Sequence, residues 1–251
     1  MADWERAERE VLHGRLLSGL DAETIWGWRT PAGRVRARRR GQRISAGARL
    51  APGLRALEIG CGTGLFTEMF ATTGASIVAI DISPHLLERA HGRELPAGQV
   101  QFLACPLEEC DHLGPFDAVI GSSVLHHMHL RSALERIHRL LKPGGWLSFA
   151  EPNMLNPQVF VERALRHCRP VSRRVLEHEM AYVRGRLRAE LQWAGFNGID
   201  IRPMDWLHPR IPRGAIPTVT RLEAVLERIP LVRELAGSLY LLAQKAEAND
   251  Q

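Results

Sequence analysis

Three glycines occupy alternate positions in the stretch LEIGCGTG, where they are Gly60, Gly62 and Gly64. Glycine loses more conformational entropy on folding than any other residue, so such a cluster is favoured only where side chains would clash with a tight turn or a ligand. The residues before it predict a short buried strand, and residues 65–71 carry apolar positions at helical spacing. A strand, a glycine loop and a helix in this order bring a polar ligand to the backbone N–H groups at the helix N-terminus.

An acidic residue, Asp81, ends the next apolar run, ASIVAID, 21 residues after Gly60. A carboxylate at this place can accept hydrogen bonds from both hydroxyls of a ribose held over the glycine loop. A strand-ending aspartate can instead cap the following helix, but Ser83 already offers that cap, so we expect Asp81 to bind ribose. Dinucleotide enzymes share both features through a GxGxxG fingerprint, whereas Leu65 stands here at the third glycine position and the pattern is GxGxG.

Short apolar segments alternate with helical ones between residues 54 and 151, which predicts a parallel sheet with helices on both faces and ligands at the carboxyl ends of the strands. Residues 1–51 are expected to form a helical N-terminal extension. Residues 52–251 are expected to form the α/β domain, with insertions at about 152–183 and 207–232. The first insertion is a candidate helical cover for a substrate. Two late segments, GIDIRPMDWL and GSLYLLAQK, predict an antiparallel pair of strands.

The composition, with 45% hydrophobic and 24% charged residues, is typical of a soluble globular protein. No apolar run approaches the ~20 residues that span a bilayer, and the start MADWERAERE lacks the apolar centre of a signal peptide, so a cytoplasmic protein is expected. Four cysteines, at positions 61, 105, 110 and 168, include no CxxC pair. We therefore expect reduced cysteines that serve as small hydrophobic residues.

A basic run, RTPAGRVRARRRGQR at residues 29–43, holds seven arginines and no acid, and the rest of the chain is slightly negative. The favoured interpretation is one solvated helix face, with Val35 and Ile44 facing inward. An anionic substrate or a lipid surface is the second interpretation, so peripheral membrane contact stays compatible with the sequence. Nucleic acid is not expected as a partner, because no aromatic residues or binding motif accompany the arginines.

Four segments in this order, LEIGCGTGLFT, VAIDIS, FDAVIGSSVLHHM and LKPGGWLSFAEPN, resemble the class I S-adenosylmethionine-dependent methyltransferases. With LQWAGF and the closing strand, the resemblance covers about three quarters of the chain. It implies a Rossmann-like α/β fold, in which a doubly wound, mostly parallel seven-stranded sheet has an antiparallel C-terminal strand.

The resemblance also implies S-adenosylmethionine as the cofactor. The glycine loop is expected against its methionine and ribose portions, Asp81 on the ribose hydroxyls and Ile82 against the adenine, with Glu58 supporting the loop. The expected cofactor contacts are Glu58, Gly60, Cys61, Gly62, Gly64, Asp81, Ile82, Leu107 and Ser122.

One position departs from the commoner pattern of these enzymes. Relatives often have a glycine-aspartate pair after the third strand, whose carboxylate meets the adenine amino group, whereas this chain reads CPLE at residues 105–108. Proline cannot supply that acceptor. Adenine recognition is then expected from the Leu107 backbone and apolar contacts, with Glu108 as a further candidate.

Two histidines, His126 and His127, follow the fourth strand and are the candidate catalytic residues. Methyl transfer from a sulfonium needs no metal, and positioning in a dry pocket supplies most of the acceleration. An oxygen acceptor must lose a proton, which a histidine can take as a general base. The competing interpretation is that one histidine packs under the cofactor and the other begins a helix. No metal site is expected, because the histidines lack a matched carboxylate at helical spacing.

Candidate substrate contacts follow the fifth strand, at Glu151 and Asn153, and lie in the cover segment, at His178 and Tyr182. Turn formation and a solvated helix face are the competing interpretations. We therefore expect methyl transfer to a small or medium-sized molecule, with O-methylation preferred over C- or N-methylation of a lipid-like or anionic acceptor. A nicotinamide oxidoreductase, disfavoured by Leu65 and by the lack of a Tyr-xxx-Lys pair, and a non-catalytic cofactor-binding subunit are the remaining alternatives.

Overall fold

The structure, a computed structural model, describes residues 11–12, 15, 20–167 and 183–247. Within these residues seven strands form one sheet in the order β3-β2-β1-β4-β5-β7-β6. The strands are β1 (Arg55–Ile59), β2 (Ser76–Asp81), β3 (Val100–Ala104), β4 (Phe116–Ser122), β5 (Leu141–Pro152), β6 (Phe196–Met204) and β7 (Ser238–Lys245). Strands β1 to β5 run parallel, and β7 is antiparallel to both of its neighbours, β5 and β6. The predicted mostly parallel sheet with an antiparallel last strand is confirmed.

Helices cover both faces of the sheet. They are α1 (Ala22–Ile25), α2 (Pro31–Gly47), α3 (Leu65–Ala71), α4 (Pro84–His91), α5 (Leu130–Leu140), α6 (Pro157–His167), α7 (Arg184–Trp193), α8 (Ile216–Leu226) and α9 (Pro230–Arg233). Buried residues of α5 and α7 share one core cluster, and those of α2, α3 and α4 share another. The sheet is therefore doubly wound, as predicted.

The helix start at Ser83 shows how the sequence sets one boundary. The Ser83 hydroxyl accepts a hydrogen bond from the Leu86 N–H at 3.4 Å, and Pro84 occupies the first helical position, where its missing N–H costs nothing. The Ser83-Pro84 pair therefore acts as the predicted cap.

The strand order reverses between β1 and β4. The chain moves from β1 outward through β2 to β3, then returns to place β4 on the other side of β1. Ligands of such sheets bind in the crevice at this reversal, beyond the carboxyl ends of the strands. Because Ile59 of β1 pairs with Ile80 and with Gly121, the residues that follow these three strands meet at one edge.

Helix α2 lies within the range predicted as an N-terminal extension, and it packs into the domain. Ala37 and Ile44 of α2 belong to the core cluster that also contains Ile77 and Ile120 of the sheet. In addition, the Ser148 hydroxyl of β5 donates to the Ile44 carbonyl at 3.0 Å. Residues 31–47 therefore form part of the layer that covers one face of the sheet.

Two predicted insertions flank β6. Helix α6 belongs to the first, and residues 168–182 lie outside the described part of the chain. Helix α8 belongs to the second and precedes the last strand. None of the described helices is both long and apolar enough to cross a lipid bilayer.

Candidate functional site

The glycine loop follows β1 at the strand-order reversal. Gly60, Gly62 and Gly64 have φ angles of +68°, +53° and +74°, a region that side chains disfavour. A Cβ at Gly60 would lie 2.4 Å from the Val124 side chain, so this glycine allows the loop after β4 to approach β1. A Cβ at Gly62 would meet only the Trp26 ring, at 3.5 Å. The packing of Val124 thus explains Gly60, whereas Gly62 is buried and only its positive φ angle favours glycine.

Asp81 joins the glycine loop to the start of α4. Its Oδ2 accepts a hydrogen bond from the Gly62 N–H at 2.8 Å, and its Oδ1 accepts one from the Ser83 N–H at 2.9 Å. A carboxylate has about four lone-pair positions, so each oxygen can accept more than one hydrogen bond. Asp81 therefore orders the loop, and its binding of ribose remains a prediction compatible with these contacts.

Glu58 lies beneath the glycine loop and is 2% exposed. Burial, together with the neighbouring Asp81 charge, raises the pKa of Glu58 to about 8. Its Oε2 has no hydrogen-bond partner among the described residues. Glu58 is therefore mostly protonated at neutral pH, and its predicted support of the loop would come from a neutral carboxyl group.

The expected contacts with adenine lie beside β2 and β3. Ile82 is partly exposed after β2. The Leu107 side chain is 2% exposed and packs in the core with Cys110, so the predicted contact with adenine would involve its backbone. Cys61 in the glycine loop is 6% exposed. Its predicted cofactor contact would therefore involve mainly its backbone.

His126, which follows β4, and Glu151, near the carboxyl end of β5, form a buried pair. The Nδ1 atom of His126 lies 2.8 Å from the Glu151 Oε2, while the Glu151 Oε1 accepts hydrogen bonds from the N–H groups of Val124 (2.9 Å) and Leu125 (3.0 Å). Although burial alone raises the pKa of Glu151, the hydrogen bond and charge interaction with His126 and the two N–H donors hold it below its ordinary value. The ring of His127, which is partly exposed, lies 4.1 Å from the His126 ring between centroids.

The structure corrects two predicted substrate contacts. Glu151 is 0% exposed and uses both oxygens within the protein, so it positions His126 and the backbone after β4. Asn153 is also 0% exposed, and its amide nitrogen donates to the carbonyls of Glu234 (2.8 Å) and Ala236 (2.7 Å). Asn153 therefore holds the chain that leads into β7. The other two, His178 and Tyr182, lie outside the described residues.

Arg40 is a residue of this region that the sequence did not single out. Its side chain is 1% exposed and extends from α2 to the carboxyl end of β4, where Nη1 donates to the hydroxyls of Ser123 (2.9 Å) and Ser122 (3.3 Å). Its Nη2 donates to the Asp205 Oδ2 at 2.6 Å and also to the Ser238 hydroxyl. Arg40 therefore links α2, β4, β6 and β7 at the edge that carries the glycine loop.

The cluster around Arg40 holds an excess of positive charge. Arg36 also contacts the Asp205 Oδ2, at 3.3 Å, so two guanidinium groups share one carboxylate. Burial raises the pKa of Asp205, but the charges of Arg40 and Arg36 outweigh it and lower the pKa to about 2. The Nε atom of Arg40 is buried and has no partner among the described residues. The described residues thus leave one N–H group of Arg40 without an acceptor.

These contacts also divide the arginine run. Arg34 and Arg38 are exposed, as a solvated helix face requires. Arg36 and Arg40 instead contact Asp205, and Arg39 contacts Glu223. The predicted solvated face therefore describes only part of the arginine run, since one side of α2 forms ion pairs. Nothing in the run itself marks Arg40, because its partners are distant in sequence.

A second contact missed in the sequence holds the glycine loop from the N-terminal side. The Thr63 hydroxyl donates to the Glu23 Oε1 at 2.9 Å, and the Arg93 Nε donates to the Thr63 carbonyl at 2.6 Å. Arg93 also forms an ion pair with Glu23. Residues from α1 and from the end of α4 thus fix the conformation of the loop together.

The available groups fit S-adenosylmethionine. Its ribose diol calls for a carboxylate such as Asp81, and its carboxylate calls for a buried cation with an available donor such as the Arg40 Nε. Ser122, an expected cofactor contact, accepts from the same guanidinium. No group of three His, Cys, Asp or Glu side chains within the described residues could hold a metal ion.

Comparisons with known proteins show similarity in the region that carries these features. A family model described as a methyltransferase domain matches residues 57–147, which include the glycine loop and Asp81. The ubiquinone biosynthesis O-methyltransferase of Xanthomonas axonopodis pv. citri (strain 306) is 40% identical over 111 residues, which cover 42% of this chain and 46% of that protein. The chain therefore spans a little under half the length of this curated relative.

Solved structures share the fold at low sequence identity. N-methyltransferase NodS from Bradyrhizobium japonicum WM9, in complex with S-adenosyl-L-homocysteine, is 19% identical with a TM-score of 0.59, covering 87% of this chain and 90% of that one. A possible histamine N-methyltransferase from Thermotoga maritima is 15% identical with a TM-score of 0.63, covering 92% and 98%. Within residues 57–147 the chain is therefore similar to methyltransferases, and the solved structures show the same fold.

Proposed function

We propose that this protein transfers a methyl group from S-adenosylmethionine to a hydroxyl group of a small molecule. The observation that carries the proposal is the buried His126–Glu151 pair next to the glycine loop. Val124, whose N–H is bound by Glu151, is also the residue whose side chain packs against Gly60. The His126–Glu151 pair, which can accept a proton, therefore lies next to the loop that is expected to bind the cofactor.

Three parts of the chain hold the cofactor in this proposal. Asp81 binds the ribose diol, the backbone around Gly62 lies against the nucleoside, and Arg40 binds the carboxylate of the methionine portion. When bound, S-adenosylmethionine supplies a methyl group activated by a sulfonium. The protein contributes by fixing the acceptor in line with that group and by excluding water, which together lower the barrier.

His126 acts as the general base in this proposal. The Glu151 carboxylate accepts a hydrogen bond from Nδ1, so the proton of the neutral imidazole resides on Nδ1 and Nε2 carries the lone pair. Nε2 can then take the proton of an acceptor hydroxyl. Glu151 stays ionised because its pKa is lowered, and it stabilises the imidazolium that forms. His127 lies alongside and is the alternative base.

The relatives favour oxygen as the acceptor atom. Two curated proteins that match are named ubiquinone biosynthesis O-methyltransferases, at 40% and 34% identity over the matched part. A small hydroxylated molecule is accordingly the proposed acceptor. The match covers less than half of those proteins, so we do not assign their substrate to this chain.

The proposal is tested by incubating the protein with methyl-labelled S-adenosylmethionine and a panel of acceptors, each a catechol, a hydroxybenzoate, an aliphatic alcohol or a primary amine. We expect label on the oxygen of at least one hydroxylated acceptor, and none with boiled protein. Label only on nitrogen or carbon would contradict O-methylation. Stabilisation against heat by NADH and not by S-adenosylmethionine would contradict the whole proposal.

Replacing His126 by asparagine is expected to lower kcat about 100-fold or more, since a general base contributes roughly 10² to 10⁴ in rate. The affinity for S-adenosylhomocysteine should change less than about threefold, because His126 does not hold the cofactor in this proposal. Glu151→Gln should also lower kcat, through loss of the ionised partner. Turnover is measured with the best acceptor of the panel across pH 5 to 9.

The matched control for this substitution is His129→Asn, because His129 is exposed and lies before α5. It should leave both kcat and the pH profile unchanged. If His126→Asn turned over normally and kept the wild-type pH profile, His126 would be a packing residue and this mechanism would be wrong.

A further inference from the structure

Two thiols lie in contact in the loop that follows β3. The Sγ atoms of Cys105 and Cys110 are 3.4 Å apart, and the Cys110 thiol donates to the Pro106 carbonyl at 3.2 Å. The two cysteines are not spaced as a CxxC pair, but the turn at Leu107–Glu109 brings them together. We propose that Cys105 and Cys110 form a redox-sensitive modification site, which hydrogen peroxide converts to a disulfide.

The geometry favours a bond between these two sulfurs. A disulfide has an S–S distance of about 2.05 Å, so the sulfurs must approach by about 1.3 Å. Side-chain rotation and a small movement of a surface loop can supply such a displacement. Because the thiols already touch, the second step of oxidation is intramolecular and competes well with further oxidation by peroxide.

The two cysteines differ in access to solvent. Cys105 is partly exposed, whereas Cys110 is 0% exposed. Cys105 is therefore the thiol that reacts with the oxidant. Cys110 is the thiol that then reacts with the oxidised Cys105. Burial is the main cause that raises the pKa of both thiols, so both are protonated at neutral pH. Since the thiolate is the nucleophile, oxidation should accelerate as the pH rises.

The chemistry balances with one peroxide for each pair. The Cys105 thiolate sulfur attacks a peroxide oxygen, the O–O bond breaks, and the departing hydroxide takes a proton to form water, which leaves a sulfenic acid on Cys105. The Cys110 sulfur then attacks the Cys105 sulfur, which forms the S–S bond as the S–O bond of the sulfenic acid breaks. The released hydroxide leaves with the Cys110 proton as a second water. Two thiols lose two electrons in total, and one peroxide is reduced to two waters.

The position of the pair links it to the proposed cofactor site. Ala104, the last residue of β3, pairs with Asp81, and Cys105 follows it directly. Leu107, between the two cysteines, is packed in the core. Closing the disulfide should shift the loop beside the adenine position and weaken cofactor binding about tenfold. This coupling rests on the proposed function, whereas formation of the disulfide does not.

The first test treats the full-length protein with hydrogen peroxide at pH 7 and pH 9, followed by alkylation and peptide mapping. We expect a Cys105–Cys110 peptide that has lost two hydrogen atoms in mass, formed faster at pH 9 and reversed by dithiothreitol. Cys105→Ser and Cys110→Ser should each abolish it. Sulfinic or sulfonic acids without the disulfide, or bridges to Cys61 or Cys168 instead, would overturn the proposal.

The second test measures S-adenosylhomocysteine affinity of the reduced and oxidised protein by calorimetry. We expect about tenfold weaker binding after oxidation, and no change on treating Cys105→Ser in the same way. By linkage, the same factor should shift the midpoint potential of the pair by about 30 mV toward positive values when ligand is bound. Equal affinity of both forms would overturn the coupling. Disulfide formation with no binding by either form would instead refute the proposed function and leave the thiol pair intact.

Discussion

Replacing Asp81 by alanine is expected to weaken binding of S-adenosylhomocysteine about 100-fold. Two hydrogen bonds from ribose hydroxyls to an ionised carboxylate contribute about 1.5 kcal/mol each, and about 3 kcal/mol corresponds to two orders of magnitude in Kd. The Gly62 N–H, which donates to Asp81 at 2.8 Å, also loses its acceptor, so the loop becomes less ordered. Asp81→Asn keeps one acceptor oxygen, so its affinity for S-adenosylhomocysteine should be about tenfold weaker.

The affinity is measured by isothermal titration calorimetry, with urea unfolding to establish that each variant is folded. Asp117→Asn is the matched control, because Asp117 also binds a backbone N–H (Arg55, 2.9 Å) and a cation (Lys142, 2.7 Å), at the amino end of β4. The Asp117→Asn substitution should lower the free energy of unfolding without altering the affinity for S-adenosylhomocysteine. An Asp81→Ala variant that is folded and binds S-adenosylhomocysteine as the wild type does would remove Asp81 from the site.

Replacing Arg40 by methionine is expected to lower the free energy of unfolding by about 3 kcal/mol. Removing one partner of a buried ion pair is strongly destabilising, since the remaining groups lose their compensation. Here Asp205 keeps Arg36, but Ser122, Ser123 and Ser238 lose their common donor. Chemical denaturation at pH 7 measures the loss. The affinity for S-adenosylhomocysteine should also fall, since Arg40 is the proposed partner of its carboxylate.

Arg38→Met is the control for this substitution, because Arg38 lies on the same helix and is exposed. It should change stability by less than about 0.5 kcal/mol. Equal stability of the two variants would contradict a structural role for Arg40.

The same cluster predicts a dependence on pH. The pKa of Asp205 is lowered to about 2, against about 3.9 in an unfolded chain, so its ionised form stabilises the fold. This contribution is fully present above pH 4 and is lost as the pH falls toward 2. The difference in unfolding free energy between the wild type and Arg40→Met should therefore shrink between pH 4 and pH 2.

The elements of the sheet were predictable because their signals are local. The runs ASIVAID and GSLYLLAQK contain β2 and β7, and each strand begins at the second residue of its run. Asp81 and the glycine loop were recognisable for the same reason, as strand ends and a glycine cluster can be read from neighbouring residues.

The remaining features depend on contacts between distant residues. Arg40 is distinguished by contacts with residues far along the chain, among them Asp205 and Ser238, which follow it by 165 and 198 residues. Glu151 and Asn153 lie at the carboxyl end of β5, where substrate contacts are expected, but the sequence does not show that their polar atoms bind the backbone of other segments. The contact between Cys105 and Cys110 depends on one short turn that the spacing alone does not specify.

The central proposal is that a nucleoside binds at the carboxyl end of β2. A crystal structure of the protein with S-adenosylhomocysteine tests this proposal most directly. We predict both ribose hydroxyls within hydrogen-bonding distance of the Asp81 carboxylate and the nucleoside against the backbone at Gly62. A ligand bound elsewhere, or a ribose that does not contact Asp81, would contradict the account.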